Sequence, residues 1–158
     1  MRAIVVSDTH GNFRNLLKVF ERHSDSELFV FLGDGESDYR RLISRNPTMR
    51  YVLVRGNCDF GTEANLTEII DFGEKRILCT HGHAFSVKRG LGGLIASSKE
   101  QNADVCLFGH THVPCSFYDD GLYVMNPGSL SNGVDGGCSY GILDITEAGV
   151  AAFTVKLT

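Results

Sequence analysis

The sequence predicts an α/β protein, on three observations. Apolar runs of the kind that form buried strands alternate with amphipathic helical patterns in the first third of the chain. Turn-bounded strand patterns crowd the last third. The polar residues that follow the strands of the first two thirds are repeatedly Asp, Asn and His, at the strand ends where open α/β sheets keep their ligand crevice. A mainly parallel sheet is expected first and hairpins later, and the length of 158 residues suits one domain over 1–158.

Ala3-Ile4-Val5-Val6 sits in an interior strand over 2–7 that delivers Asp8-Thr9-His10-Gly11 to its carboxyl end. Phe13, Leu16, Leu17 and Phe20 then repeat as one helical stripe, with Asn12 as its N-cap. The strand 28–32 delivers Gly33-Asp34-Gly35, and Tyr39, Leu42 and Ile43 place a helix over 38–45 that Asn46-Pro47 stops. A third strand, 51–54, ends in Arg55-Gly56-Asn57-Cys58-Asp59. Strands over 66–72 and 76–80 are joined by Gly73-Glu74-Lys75, and the second delivers His81-Gly82-His83. A helix is expected between Lys88 and Asn102 with Leu91, Leu94 and Ile95 buried, its first turns weakened by Gly90, Gly92 and Gly93. The strand 104–108 runs into Gly109-His110-Thr111-His112. Strands over 115–118, 122–125, 139–145 and 150–156 follow. The turn signals Asp119-Asp120-Gly121, Asn126-Pro127-Gly128 and Glu147-Ala148-Gly149 between them predict antiparallel hairpins, and 130–138 reads as a loop.

Composition narrows the function. Hydrophobic residues at 42% and charged residues at 22% describe an ordinary globular protein. A formal charge of -4 argues against an extended nucleic-acid surface. No apolar run reaches the roughly 18 residues of a membrane span, and the start turns acidic too early for a signal peptide, so a cytoplasmic address is expected. Five cysteines without a C-x-x-C pair fit reduced thiols, and Cys79, Cys106 and Cys115 read as small apolar strand residues.

The polar strand-end residues are Asp8, His10, Asp34, Asn57, His81, His110 and His112. Taken alone, His110 and His112 fit a surface loop as well as a metal site; the whole set favours metal. These nitrogen and oxygen donors, without a thiolate, suffice for two ions if one carboxylate bridges them. They suit Mn, Fe, Co, Ni or Zn better than Ca or Mg. The charge of two divalent ions exceeds that of Asp8 and Asp34, so the mouth would attract phosphate although the chain is acidic.

Asp8-Thr9-His10, Gly33-Asp34, Gly56-Asn57-Cys58-Asp59, His81-Gly82-His83 and Gly109-His110-Thr111-His112 resemble, in order, the signature blocks of the calcineurin-like metallophosphoesterases. The short chain, Cys58 and Asn126-Pro127-Gly128-Ser129 resemble the small bacterial and archaeal phosphodiesterase branch, to which the non-catalytic retromer subunit of eukaryotes is also related. The resemblance implies a sandwich of two facing mixed β-sheets flanked by helices. It places Asp8, His10, Asp34 and His112 on one metal and Asp34, Asn57, His81 and His110 on the other, with Asp34 as the bridge. Two divalent ions, manganese first and Ni, Fe, Co or Zn as alternatives, would share a hydroxide for in-line attack on a small phosphodiester. An oligomer is compatible with this reading, and a membrane partner is not expected.

Cys58 departs from the pattern, because many relatives carry there a histidine thought to protonate the leaving oxygen. A thiol with a reference pKa near 8.5 is a poorer acid, so the proton would come from His83 or solvent, or substrates would carry good leaving groups. His83 reads equally as a turn residue that orients His81. Asp59 reads as structural. Arg55 fits a phosphate contact or an exposed salt bridge; Thr9, Asn12 and Thr111 fit substrate contacts or turn caps; Phe60 and Phe85 fit a pocket wall or core; His23 fits a solvated helix end. The rival function is a non-catalytic scaffold on the same fold. The retromer relative has lost parts of the motif, whereas every ligand position is filled here.

Overall fold

Parallel pairing begins at the amino terminus of the computed structural model, which describes residues 1–133 and 136–158. Arg2–Val6 (β1) pairs in parallel with Leu28–Phe31 (β2), and β2 with Tyr51–Leu53 (β3). Thr67–Phe72 (β4) and Lys75–Thr80 (β5) form a hairpin, and Val105–Phe108 (β6) lies parallel to β5. Cys115–Asp119 (β7) and Leu122–Asn126 (β8) form a second hairpin, and Cys138–Thr146 (β9) with Gly149–Leu157 (β10) a third. The result is two mixed five-stranded sheets, ordered β10-β9-β1-β2-β3 and β4-β5-β6-β8-β7.

Side-chain alternation along the strands explains why the sheets face each other. Ala3, Val5, Leu28 and Val30 from the first sheet share one buried cluster with Ile77, Cys79, Val105 and Leu107 from the second. Each fully buried aliphatic side chain there contributes about 1.5–3 kcal/mol, so this shared layer clamps the sheets together. The alternate residues face outward. Ile4, Val6, Phe29 and Phe31 pack beneath the helices Phe13–Arg22 (α1) and Glu36–Arg45 (α2), and Leu78, Cys106 and Phe108 pack with Leu94 of Gly92–Glu100 (α3). This is the sandwich that the family resemblance implies.

The boundaries follow local chemistry. Asn12 caps α1 as expected, its side chain accepting the Asn15 N–H at 3.2 Å. The helix α3 starts about a turn later than Lys88, past Gly90 in a positive-φ conformation (150°) that a right-handed helix excludes. Asn126-Pro127-Gly128 is not a hairpin turn: β8 pairs with β6 and β7, and the segment carries the chain across to β9 in the other sheet. Turn signals specify where a strand ends and not its next partner. The expected loop over 130–138 includes Val134 and Asp135, which lie outside the described residues. His23 is not a freely solvated helix end, because its Nε2 lies 2.9 Å from the Tyr140 hydroxyl. All five cysteines are free, with Cys79 and Cys106 buried and Cys115 half-buried.

Candidate metal centre

The strand ends β1, β2, β5 and β6, with the turn after β3, bring the seven expected donors to one edge of the sandwich. Asp8, His10 and His112 place one ligand atom each within 4.8 Å of one another, and so do Asp34, His81 and His110. Asp34 lies between these groups: its Oδ2 is 3.8 Å from His10 Nε2 and 3.4 Å from His81 Nε2. Asn57 joins the second group through Oδ1, 3.1 Å from His81 Nε2.

The backbone is bent to achieve this. Asp8, His10, Asp34, His110 and His112 all adopt positive φ, between 43° and 68°. Five such residues in one pocket amount to stored strain, roughly 1–3 kcal/mol each, tolerated only where the surroundings enforce it. The surroundings are hydrogen bonds. The Asp59 carboxylate accepts the N–H groups of Asp34 (2.7 Å), Gly35 (2.8 Å), Glu36 (2.9 Å) and Gly56 (2.8 Å). Asp38 accepts from Thr9 Oγ1 at 2.6 Å and the Gly11 N–H at 3.0 Å, which sets the His10 turn. Asn126 Nδ2 donates to the Gly109 carbonyl at 2.9 Å and to Thr111 Oγ1 at 3.0 Å, while Ser129 Oγ donates to the Asp8 carbonyl at 2.9 Å. Thr9, Asn12 and Thr111 therefore stabilise turns.

Tautomers decide what these imidazoles offer. His81 Nδ1 lies 2.6 Å from the Leu32 carbonyl and His112 Nδ1 lies 2.8 Å from the Asn132 carbonyl, so each Nδ1 carries a proton and each ring turns its Nε2 inward. His112 Nε2 then faces the buried Asp8 Oδ1 at 3.1 Å, so a proton or a metal ion must stand between the two. Buried lone pairs aimed at one another are unfavourable without a proton or a metal cation between them. The donor set thus fits divalent ions of the borderline class.

Protonation states agree. Burial pushes the Asp8 carboxyl up, but the imidazoles of His10, His112 and His81 and the Ser7 hydroxyl outweigh it and hold the group well below the usual carboxylate range. Asp34 is likewise brought down to about 2 by His81 and the Cys58 N–H against the cost of burial. Burial and the neighbouring His81 and Lys88 lower His110 to about 4, leaving it neutral and ready to coordinate. The Asp8 carboxylate raises His10 and His112, so metal binding at neutral pH would displace protons from them.

Cys58 stands beside the donor groups, its Sγ within 4.8 Å of ligand atoms of His10 and Asp34, and the other candidates separate. Cys58 Sγ accepts from Asn57 Nδ2 at 3.3 Å, which turns the amide oxygen toward His81. Burial and then Asp34 raise its thiol pKa, so it stays protonated at neutral pH. The His83 ring stands 5.3 Å from that of His81, outside both donor groups, and burial followed by the charge of His81 keeps it neutral. Phe85 is half-buried against the α3 core, whereas Phe60 is exposed beside the site. Among the described residues Arg55 makes no salt bridge, and its charge reaches His83. Sequence reasoning missed Asp38 and the two carbonyls, and it read Asn126 only as part of a turn and of the branch motif: an acid in a first helical turn is ordinary, and a backbone carbonyl leaves no trace in sequence.

A two-sheet sandwich with nitrogen and oxygen donors at its strand mouths places the protein among the metallophosphoesterases. The chain belongs to the calcineurin-like phosphoesterase superfamily, whose domain matches residues 1–148. It is 34% identical over 132 residues to the probable metallophosphoesterase YsnB of Bacillus subtilis, covering 82% of this chain and 75% of that protein. It is 29% identical over 168 residues to the phosphodiesterase YfcE of Escherichia coli, covering 91% and 88%, and the solved YfcE structure superposes with a TM-score of 0.69. The fold is also that of Vps29 from Entamoeba histolytica, solved with Zn2+, at 22% identity, 99% coverage of each chain and a TM-score of 0.77.

Proposed function

We infer that residues 1–158 act as one catalytic domain, a phosphodiesterase that works with two divalent ions, manganese first, on a small phosphodiester. The observation that carries this reading is the pair of inward-facing donor groups with Asp34 Oδ2 between them, 3.8 Å from His10 Nε2 and 3.4 Å from His81 Nε2. Asp8, His10, Asp34 and His112 would hold one ion, and Asp34, Asn57, His81 and His110 the other. When bound, such ions supply Lewis-acid charge for the phosphoryl oxygens and acidify the attacking water.

The chain's own groups do the positioning. Asp59 holds the Asp34 turn through four backbone N–H groups, and the Leu32 and Asn132 carbonyls fix the rings of His81 and His112. Cys58, protonated beside Asp34, orients Asn57 and is a weak proton donor, which favours esters with good leaving groups. His83, neutral at pH 7, supports His81 through ring contact. Among the described residues no helix is long and apolar enough to cross a membrane.

The test is turnover of chromogenic mono- and diesters by chelated protein given back Mn, Ni, Co, Fe or Zn in turn. Diester hydrolysis with at least one metal is expected, and silence with all five would overturn the enzyme reading in favour of a scaffold.

A further inference from the structure

Phe60 follows directly on the Asp59 that anchors the Asp34 turn, and it is 88% exposed. It packs into none of the three apolar clusters and instead forms one wall of a cleft of about 310 Å³. His10, Asp34, Cys58 and Glu36 line the same cleft, so the phenyl ring borders two of the candidate ligands. An aromatic face left bare beside a reaction centre is a stacking surface for a flat group.

The charges in the cleft say which flat group. The amino end of α2 opens here and would ordinarily attract an anion. Its Gly35 and Glu36 N–H groups already donate to Asp59, however, at 2.8 and 2.9 Å. The Asp59 residue that takes them lines the same cleft, and the Glu36 carboxylate is paired with Arg40 at 2.6 Å. Those two N–H groups are therefore not free to hold a second phosphate, and an uncharged ring needs neither.

We propose that Phe60 is a specificity-determining residue that stacks on the flat, uncharged ring of one ester substituent, so that the site selects aryl or nucleoside phosphodiesters over purely alkyl ones. This rests on the phosphodiesterase reading: the phosphate occupies the metal centre, and the ring against Phe60 fixes the angle at which the ester enters it.

The sequence has no tryptophan, so Phe60→Trp creates a single fluorescent reporter in the cleft. Manganese-loaded Phe60→Trp is titrated with diphenyl phosphate, thymidylyl-thymidine and diethyl phosphate. Saturable quenching by the first two and none by the third is expected; quenching by diphenyl phosphate alone restricts the ligand to aryl esters. In parallel, Phe60→Ala should weaken inhibition of bis(p-nitrophenyl) phosphate turnover by the ring-bearing diesters about tenfold and leave that by diethyl phosphate unchanged. Val113→Ala, in a separate groove beyond His110 and His112, should alter neither. Diester turnover by the wild type combined with ring-indifferent Phe60 variants overturns the role of Phe60 alone. Ring-specific quenching without turnover keeps that role and overturns the phosphodiesterase reading. Loss of a dimer in Phe60→Ala without ring-specific quenching overturns the proposal in favour of a contact between copies.

Discussion

The Asp59 carboxylate holds the backbone N–H of Asp34 at 2.7 Å, and with its two oxygens it also takes the N–H groups of Gly35, Glu36 and Gly56. One buried side chain thereby ties the end of β2 to the turn after β3. Hydrogen bonds to a charged acceptor contribute about 1.5–3 kcal/mol each and are not additive within one group. Asp59→Ala is expected to lose about 3 kcal/mol in urea unfolding and to lower turnover about 10- to 100-fold. An unchanged unfolding midpoint would show that the carboxylate does not hold the turn.

Gly56 is fixed by space as well as by hydrogen bonding. A Cβ there would come within 2.8 Å of Asp34 Cγ and nearer still to the Asp34 backbone nitrogen. Since the Asp34 N–H is also held by Asp59, the backbone there has little freedom to yield. Gly56→Ala should shift the carboxylate by a fraction of an ångström and cost about 100-fold in turnover. Gly93→Ala, in α3 with nothing within 4 Å, should raise stability by about 0.5–1 kcal/mol and leave turnover unchanged. Thermal melts and steady-state kinetics on the two variants separate a spatial requirement from general sensitivity to glycine loss.

Alternating strand and helix patterns were sufficient to place β1, β2, β3, α1 and α2, because each buries a face whose period is written in the residues themselves. Pairing across the sandwich was not written there. The parallel approach of β6 and β8 depends on how the two sheets close on the core, and Asn126-Pro127-Gly128 looks like any hairpin turn until its strands are followed. The donors were legible as chemistry at strand ends. The hydrogen bonds that orient them were not, since the partners of His81 and His112 are the backbone carbonyls of Leu32 and Asn132. Cys58 was legible as a departure, but its contact with Asn57 shows only when both side chains are placed.

Asp34 touches both donor groups, so its substitution should act on both at once. Asp34→Asn keeps the volume and the Cys58 N–H contact at Oδ1 but removes the charge beside His10 and His81. Turnover should fall by more than about 100-fold, beyond the usual loss for residues that only support ligands. Elemental analysis of protein purified without chelator should show less metal than the wild type. Retained turnover with full metal content would place the shared position elsewhere.

Far from the metal centre, Arg2 donates two parallel hydrogen bonds to Asp144, each 2.7 Å, joining β1 to β9. The Arg2 side chain is 45% exposed and that of Asp144 24%, so solvent screens the pair and its contribution is that of a good surface bridge, about 0.5–1 kcal/mol. Hydrogen bonding and charge from Arg2 lower the Asp144 carboxyl below its ordinary value of 3.8. A depressed folded-state carboxyl stabilises the fold above the unfolded-state value and loses that contribution as pH falls through the folded-state value. Asp144→Asn should therefore be less stable than the wild type by about 0.5–1 kcal/mol at pH 7, with the gap narrowing below pH 3.8 and shrinking in 1 M salt. Paired urea titrations at neutral and acidic pH measure that gap, and a difference independent of pH would assign the loss to packing instead of charge.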